Sequence, residues 1–493
     1  MKRSAIVIGS GFAGTAAATS LASKGFAVTM LEKNAEPGGR ARVWRKDGFT
    51  FDMGPSFYWM PEVFSQYFEK FGAQVQDLYK LVRLDPSYQV VFAAGDGWQL
   101  PAGLDAMKRF FEGHEPGAGE ALQRFMDEAR IKYELGMNEL VYRPSLSWME
   151  YAHPGLIAGL LRTRVFSSLR THVRKYFKHE RIRQVMEFPV LFLGAAPQNT
   201  PALYSLMNYA DMALGTWYPM GGMGSVVEAM QHVAKQKGVE LRTGVTVERI
   251  IVTNGRATGV QTDHGPLSAD VIVAAADYNH VEEQLLEPGH RSYSAAYWKG
   301  RTMAPSALMF YLGVDRRIPN VDHHTLFFDE PLDQHSADIY DDPRWPERPL
   351  FYTSCASKTD PTVAPAGMEN LVILIPIATG LEDSEAMREH YYHVVMERMQ
   401  RHTGVDLRPH VIVKRSYCIN DLKDDYNSFR GNAYGLANTL RQTGPWRPQM
   451  KSRKVKDLYF AGQLTVPGPG VPPALISGQV VADLIDKEHP QRP

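Results

Sequence analysis

Cysteine is nearly missing from this chain: Cys355 and Cys418 are the two in 493 residues. So sparse and distant a pair excludes a disulfide framework and a cysteine-built metal centre, and it fits a reducing compartment. Net charge is missing too, with 54 basic residues against 54 acidic, so no global field points to nucleic acid as a partner. No stretch reaches the roughly 18 uninterrupted apolar residues of a spanning helix, and a mean hydropathy of −0.29 argues against a multi-span membrane protein. Met1-Lys2-Arg3 followed by Ala5 to Ile8 starts like a signal peptide, but Gly9, Gly11 and Gly14 break the apolar run, which leaves the cytoplasm as the expected location. The sequence carries no H-E-x-x-H signature and no Ser-His-Asp arrangement for a zinc or acyl-transfer hydrolase. It also shows no internal repeat and no low-complexity tract, and no metal site is expected.

What is present is ordinary globular composition, 44% hydrophobic and 22% charged, over a length that allows two to three domains' worth of core. The clearest local signal is at the start. Ser4 to Ile8 reads as a buried parallel strand ending in glycine. Gly9-Ser10-Gly11-Phe12-Ala13-Gly14 gives G-x-G-x-x-G, Thr15 to Lys24 reads as an alanine-rich helix capped by Gly25, and Phe26 to Leu31 is a second strand closing with Glu32. Gly9 permits the tight turn, Gly11 lets backbone approach a pyrophosphate, and Gly14 allows helix and strand to pack closely, while the helix amino terminus faces phosphate charge. Glu32 stands where a carboxylate accepts hydrogen bonds from ribose hydroxyls and disfavours a 2′-phosphate. A strand, these glycines, a helix and a strand-ending acid together predict a dinucleotide site.

Beyond Glu32 come Lys33, Gly38-Gly39-Arg40-Ala41-Arg42 and then Phe51-Asp52-Met53-Gly54-Pro55. The acid, G-G-R and D-x-G-P resemble the second nucleotide motif of the flavin amine oxidase and carotenoid desaturase superfamily. The resemblance implies FAD, with the Gly-Gly-Arg segment running along pyrophosphate and flavin, and makes Arg40 and Arg42 candidates for phosphate or flavin contact. Trp217 to Gly224 (WYPMGGMG), before a helix expected over about 225–236, is similar to the desaturases' W-x-P-x-G-G segment. The strands expected over 239–250 and 269–275 follow, and relatives use backbone at the position of Val247 for the adenine. Leu458 to Gly462 reads as a last buried strand, Gln463 to Pro473 as a stiff Pro/Gly loop, and Ala474 to Ile485 as a helix whose amino terminus stabilises a reduced flavin. Val466 and Pro473 stand where many bacterial members carry His and Gly, so that histidine serves no acid–base role here. The T-V-P-G-P-G-V-P-P form resembles bacterial-type phytoene desaturases.

Motif and resemblance together give Gly9, Gly11, Phe12, Ala13, Gly14, Glu32, Lys33, Gly39, Arg40, Val247, Gly462, Gln463, Val471 and Pro472 as the cofactor-binding set. The implied fold is α/β, a Rossmann-like FAD-binding domain of the GR2 type (1–80, 216–290 and 436–493). It is interleaved with an α+β substrate domain (291–435) and a helical substrate and membrane-associating region (81–215). The apolar segment 188–197 resembles the family's substrate-domain stretch. Residues 156–161 beside Arg162, Arg164, Arg170, Arg174, Lys175, Lys178, Arg181 and Arg183 suit docking on an anionic membrane surface, which predicts a peripheral position on the cytoplasmic membrane. Asp421 to Leu436, with Asn427, Gly431, Ala433, Tyr434 and Gly435, resembles a family segment near the flavin.

The implied reaction is FAD-dependent desaturation of an acyclic C40 carotene, phytoene towards lycopene, with oxygen or a quinone as electron acceptor. Glu150 is the candidate base, in a place where some relatives carry an Arg-Asp pair and this chain lacks the arginine. The alternatives are a 3,4-desaturase, ketolase or cis-trans isomerase on the same frame, and, further off, a flavin amine oxidase or a prenyl-binding chaperone.

Overall fold

The computed structural model describes residues 2–152, 167–189 and 196–490. Ser4–Ile8 (β1) carries apolar side chains on both faces, and a strand of that kind needs cover on both sides. It sits at the centre of a five-stranded parallel sheet with order β5-β4-β1-β2-β3. The others are β2 (Ala27–Glu32), β3 (Glu240–Thr243), β4 (Val271–Ala274) and β5 (Leu458–Phe460). Three helices cover it: α1 (Phe12–Ser23), α2 (Met223–Gln236) and α3 (Val471–Glu488). The small side chains of α1, buried from Phe12 to Leu21, let α2 and α3 pack closely along it.

Two helices start earlier than the sequence reading placed them. α1 begins at Phe12, because extended Gly11 (φ −70°, ψ −177°) serves as its cap. α3 begins at Val471, because Pro472 and Pro473 fall in the first turn, where no amide hydrogen has an intrahelical acceptor to lose. The single strand expected over 239–250 is two. Gly244, at φ +68°, turns the chain after β3, and Val247–Thr253 joins a separate three-stranded antiparallel sheet.

The second layer is a seven-stranded sheet. Its order is Val411–Tyr417, Ser306–Val314, Glu369–Ile377, Phe351–Ser354, His324–Phe327, Tyr88–Ala93 and Asp96–Leu100. The last two strands come from the 81–215 region and extend a sheet otherwise built from residues 306–417, with Tyr88–Ala93 parallel to His324–Phe327.

The basic stretch expected to face a membrane is in part internally neutralised. Arg170 pairs with Glu187 and Asp333, Arg181 with Asp96, and Arg183 with Glu180, while Arg174, Lys175 and Lys178 stay exposed. The apolar and basic residues at 156–164 lie outside the described residues, as does 190–195 within the expected substrate segment. Among the described residues no helix is long and apolar enough to cross a membrane.

Candidate active site

Parallel sheets place ligands outside the carboxyl ends of their strands, and a cavity of about 380 Å³ opens there, within the range of small-molecule sites. Gly9 makes the turn out of β1 at φ +98°, and a Cβ on it would meet the Ala275 carbonyl oxygen at 3.1 Å. A Cβ on Gly14 would fall 1.9 Å from the Gly9 carbonyl oxygen. Gly14 therefore packs beneath the turn and does not line the cavity, whereas Gly9, Gly11, Phe12 and Ala13 do. The second glycine segment lies against the first: Gly38 N–H donates to the Ser10 carbonyl at 3.1 Å, and a Cβ on Gly39 would lie 3.2 Å from Gly11 Cα. No side chain caps α1, so its free amides and positive dipole end face the cavity.

At the end of β2 the Glu32 carboxylate is fixed by four donors. Ser10 N–H (3.0 Å) and Oγ–H (2.8 Å) bind one oxygen, and Asn34 N–H (3.0 Å) and Nδ2–H (2.9 Å) bind the other. Glu32, Lys33 and Val247 all line the cavity. Lys33 Nζ is held by the Asp424 carbonyl.

Arg40 is the second cation on the cavity wall, with Lys33. Its guanidinium donates to Ser428 Oγ (3.2 Å) and to the Asn432 carbonyl (3.3 Å) and lies 5.1 Å from the centre of the Tyr426 ring. Burial draws its pKa below the ordinary arginine value, against the pull of the Asp277 carboxylate. Its Nε–H is buried with no acceptor, an orphan donor on a cation that an anionic ligand would satisfy. Arg42 has an orphan Nε–H too, but Asp425 neutralises it and it does not line the cavity. The expectation of a ligand contact for Arg42 is corrected on that ground.

On the far wall the loop after β5 brings Gly462, Gln463, Val471 and Pro472 to the same cavity. Gly462 N–H donates to Ser477 Oγ at 3.0 Å, Gln463 Nε2 to Asn432 Oδ1 at 3.1 Å, and Arg447 holds the Gln463 carbonyl at 3.2 Å. The amino terminus of α3 thus becomes a second positive dipole end facing the cavity. Two glycine segments, two uncapped helix termini, a strand-ending carboxylate and an arginine whose buried Nε–H lacks an acceptor fit the phosphates, ribose and ring of a flavin dinucleotide. The remaining wall is largely apolar, with Met309 and Leu374 from the seven-stranded sheet and Met53, Met60 and Met207 from segments outside both sheets.

Glu150 does not join this set. Its carboxylate accepts the backbone N–H groups of Ser145 (2.9 Å), Leu146 (2.7 Å) and Ser147 (3.1 Å) and closes a capping box at the short helix Trp148–Tyr151. A carboxylate so occupied, off the cavity lining, is a cap and not a base. Both cysteines are buried, and burial pushes their thiols up, Cys418 to about 12.

The sequence reading missed Ser10, Asn34, Asp277, His280, Ser56 and Tyr352, which also line the cavity. Burial lowers His280 to about 4 and raises Asp277, so the first is neutral and the second takes N–H groups of His280 and Phe429, both at 3.2 Å. Asp277 had a signal: it follows β4 at the strand end where ligands bind. Tyr352 had none, since nothing in residues 351–354 separates a cavity residue from core.

The model of the flavin containing amine oxidoreductase family matches residues 12–486. The chain is 41% identical over 483 residues to a carotenoid 3,4-desaturase of Haloarcula japonica, covering 97% of each chain. It is 32% identical to a zeta-carotene-forming phytoene desaturase of Myxococcus xanthus, over 98% of this chain and 93% of the other. Among solved structures, an oxidoreductase from Methanosarcina mazei superimposes with a TM-score of 0.62 at 17% identity, over 97% of this chain and 100% of that one.

Proposed function

This chain belongs to the flavin containing amine oxidoreductase family, and from that premise we propose that it is an FAD-dependent desaturase of an acyclic C40 carotene, phytoene towards lycopene. It is a flavin oxidoreductase acting on CH–CH bonds, as its carotenoid desaturase relatives indicate. The observation that carries the proposal is the joining in one cavity of a dinucleotide cradle and a methionine-rich wall. Methionine side chains are flexible and polarisable, and they suit a long, featureless polyene.

Bound FAD would supply the two-electron acceptor for a hydride leaving an allylic carbon. The protein's part is positional. Gly11 and the α1 amides would hold the pyrophosphate, Glu32 the ribose and Arg40 the charge near the ring, while the α3 terminus would favour negative charge there. The apolar wall excludes water, and the polyene itself delocalises the developing cation. Oxygen or a membrane quinone would reoxidise the enzyme. An apolar substrate of this kind would reach a protein peripheral on the cytoplasmic membrane from the bilayer; exposed Arg174, Lys175 and Lys178 support such a position.

The Haloarcula relative favours a second reading, a 3,4-double bond added to an already conjugated carotene. Anaerobic mixing with phytoene or with a conjugated carotene, flavin absorbance, then admission of oxygen or a quinone so that further double bonds can form, and pigment analysis together separate the two. Flavin bleaching with red lycopene supports the first reading; a product only from a conjugated carotene supports the second. Isomerised product without new double bonds sinks both.

A further inference from the structure

With Glu150 removed as a base, the fate of the proton lost beside the departing hydride is open, and a polar chain beside the cavity accounts for it. Ser56 and Tyr352 line the cavity, and their hydroxyls lie 2.8 Å apart. Behind them, 2.6 Å from the Tyr352 hydroxyl, is Nδ1 of His324, a fully buried residue stacked on Phe57 with ring centroids 4.1 Å apart. Ser56 and Tyr352 also line a second, smaller chamber with Thr50, Asp52, Ser354 and Asn370. The two spaces meet at Gly54, Ser56, Met309, Tyr352 and Leu374. The chamber measures about 20 Å³, room for a single water.

We propose that the proton released by the substrate carbon leaves through the Ser56 and Tyr352 hydroxyls and the side chamber to the Asp52 carboxylate, with His324 as a positioning residue. The proposal rests on the reading of the chain as a carotene desaturase. The balance is simple. One carbon gives up its hydrogen with the electron pair to the flavin, the neighbouring carbon gives up a proton, and the electron pair left behind closes the new C=C bond. Ser56 accepts that proton while passing its own to Tyr352, Tyr352 passes its own through a chamber water, and Asp52 becomes a neutral acid.

This direction requires one tautomer of His324. With the proton on Nδ1, the imidazole and Ser56 both donate to the Tyr352 oxygen, which has two lone pairs, and the tyrosine's hydrogen is free to point onward. With the proton on Nε2, Tyr352 donates back to His324 and the chain is blocked. Nε2 has no hydrogen-bond partner, and burial, with His323 adding to it, holds the ring neutral. His324 is therefore a poor proton sink and a rigid support.

Asp52 is a suitable terminus. Its oxygens accept the amides of Met223 (2.8 Å) and Gly224 (3.2 Å) at the start of α2. Burial, with Asp360 adding to it and Arg45 and those amides opposing, lifts its carboxyl to about 6. Tyr218 and Tyr352 are the other titratable groups on the chamber wall, and burial raises both phenols. A carboxyl near 6 takes a proton at neutral pH and returns it to solvent.

The test is steady-state desaturation by the flavin-loaded enzyme in liposomes. Tyr352→Phe should lower kcat on the order of 100-fold with KM and flavin content unchanged, and Ser56→Ala should do likewise. Ser56→Thr, which keeps a hydroxyl, should restore most of the rate. The wild-type kcat should rise with pH through about 6, and Asp52→Asn should lose that limb. Because Asp52→Asn also removes an acceptor for the α2 amides, Tyr352→Phe stands as the independent variant. Nitrogen NMR of His324 should report the Nδ1–H tautomer. A Tyr352→Phe enzyme with wild-type kcat, one changed only in KM, or an Nε2–H His324 overturns the relay alone. A wild type that turns over no carotene overturns the functional reading and the relay with it.

Discussion

Gly478 of α3 lies directly against Ala13 of α1: a Cβ on Gly478 would fall 2.2 Å from the Ala13 carbonyl oxygen and 2.7 Å from the Ala17 amide nitrogen. Ala13 also lines the cavity, so this helix contact sets the position of a cofactor-facing backbone.

Gly478→Ala should therefore destabilise the protein by about 1–3 kcal/mol, the usual cost of overpacking. It should lower flavin occupancy as well. A urea titration of the apoprotein and the flavin-to-protein absorbance ratio check the two effects.

Gly11 and Gly14, three residues apart, should respond in opposite ways. Gly11 has ordinary extended backbone, and a Cβ there would come no closer than 3.9 Å to Gly39, so Gly11→Ala should fold with stability within about 0.5 kcal/mol of wild type. Its flavin affinity should fall at least roughly tenfold, the cost of about 1.4 kcal/mol of lost contact. Gly14→Ala, blocked by backbone at 1.9 Å, should instead unfold at clearly lower denaturant. Tight flavin retention by Gly11→Ala would refute its place at the pyrophosphate.

Glu150→Gln should leave kcat unchanged. Losing a charged acceptor for three amides should cost about 1 kcal/mol of stability, as other lost caps do. A large fall in kcat with the melting temperature preserved would return Glu150 to the mechanism.

Asp211 is buried and accepts hydrogen bonds from Tyr88 (2.7 Å) and Thr216 (2.9 Å). Burial lifts its carboxyl from 3.8 to about 6. Between those values the folded protein keeps a proton that the unfolded chain has released. Its stabilising contribution is therefore full below about pH 4 and lost as pH rises through 6. Asp211→Asn should flatten this decline by on the order of 2 kcal/mol between pH 4 and 7, read as unfolding free energies at both pH values. Asp52 shifts in the same direction, so the decline should shrink and not vanish.

The parts of this fold that could be read in the sequence are those where local chemistry leaves one choice. Gly9 at a strand end, the small residues of α1 and Glu32 closing β2 specify a nucleotide-binding unit by their own geometry. Val247, on a separate antiparallel sheet, came only through family likeness; Gly462 was legible as the end of a buried strand but not as part of this unit, because adjacency in a parallel sheet leaves no periodic trace. Arg40 and Arg42 looked equivalent as text. Asp425, whose carboxylate neutralises one of them, is hundreds of positions away, so spacing could not tell them apart. Ser56 and Tyr352 meet on one cavity wall with His324 behind them, from three chain segments, and each alone reads as core.

The order of strands in the parallel sheet has a consequence for biosynthesis. The centre of the sheet is made first and its far edge, β5, last, together with the helix that closes over α1. At ribosomal rates of about 5–20 residues per second, β1 waits tens of seconds for its outer neighbours, with apolar strand edges exposed on the nascent chain. Such non-local pairings form slowly. Flavin can enter a finished cradle only after the carboxyl-terminal segment leaves the ribosome. Cofactor supply and chaperone capacity, more than the rate of translation, would then set the yield of active protein in a cell that overproduces it.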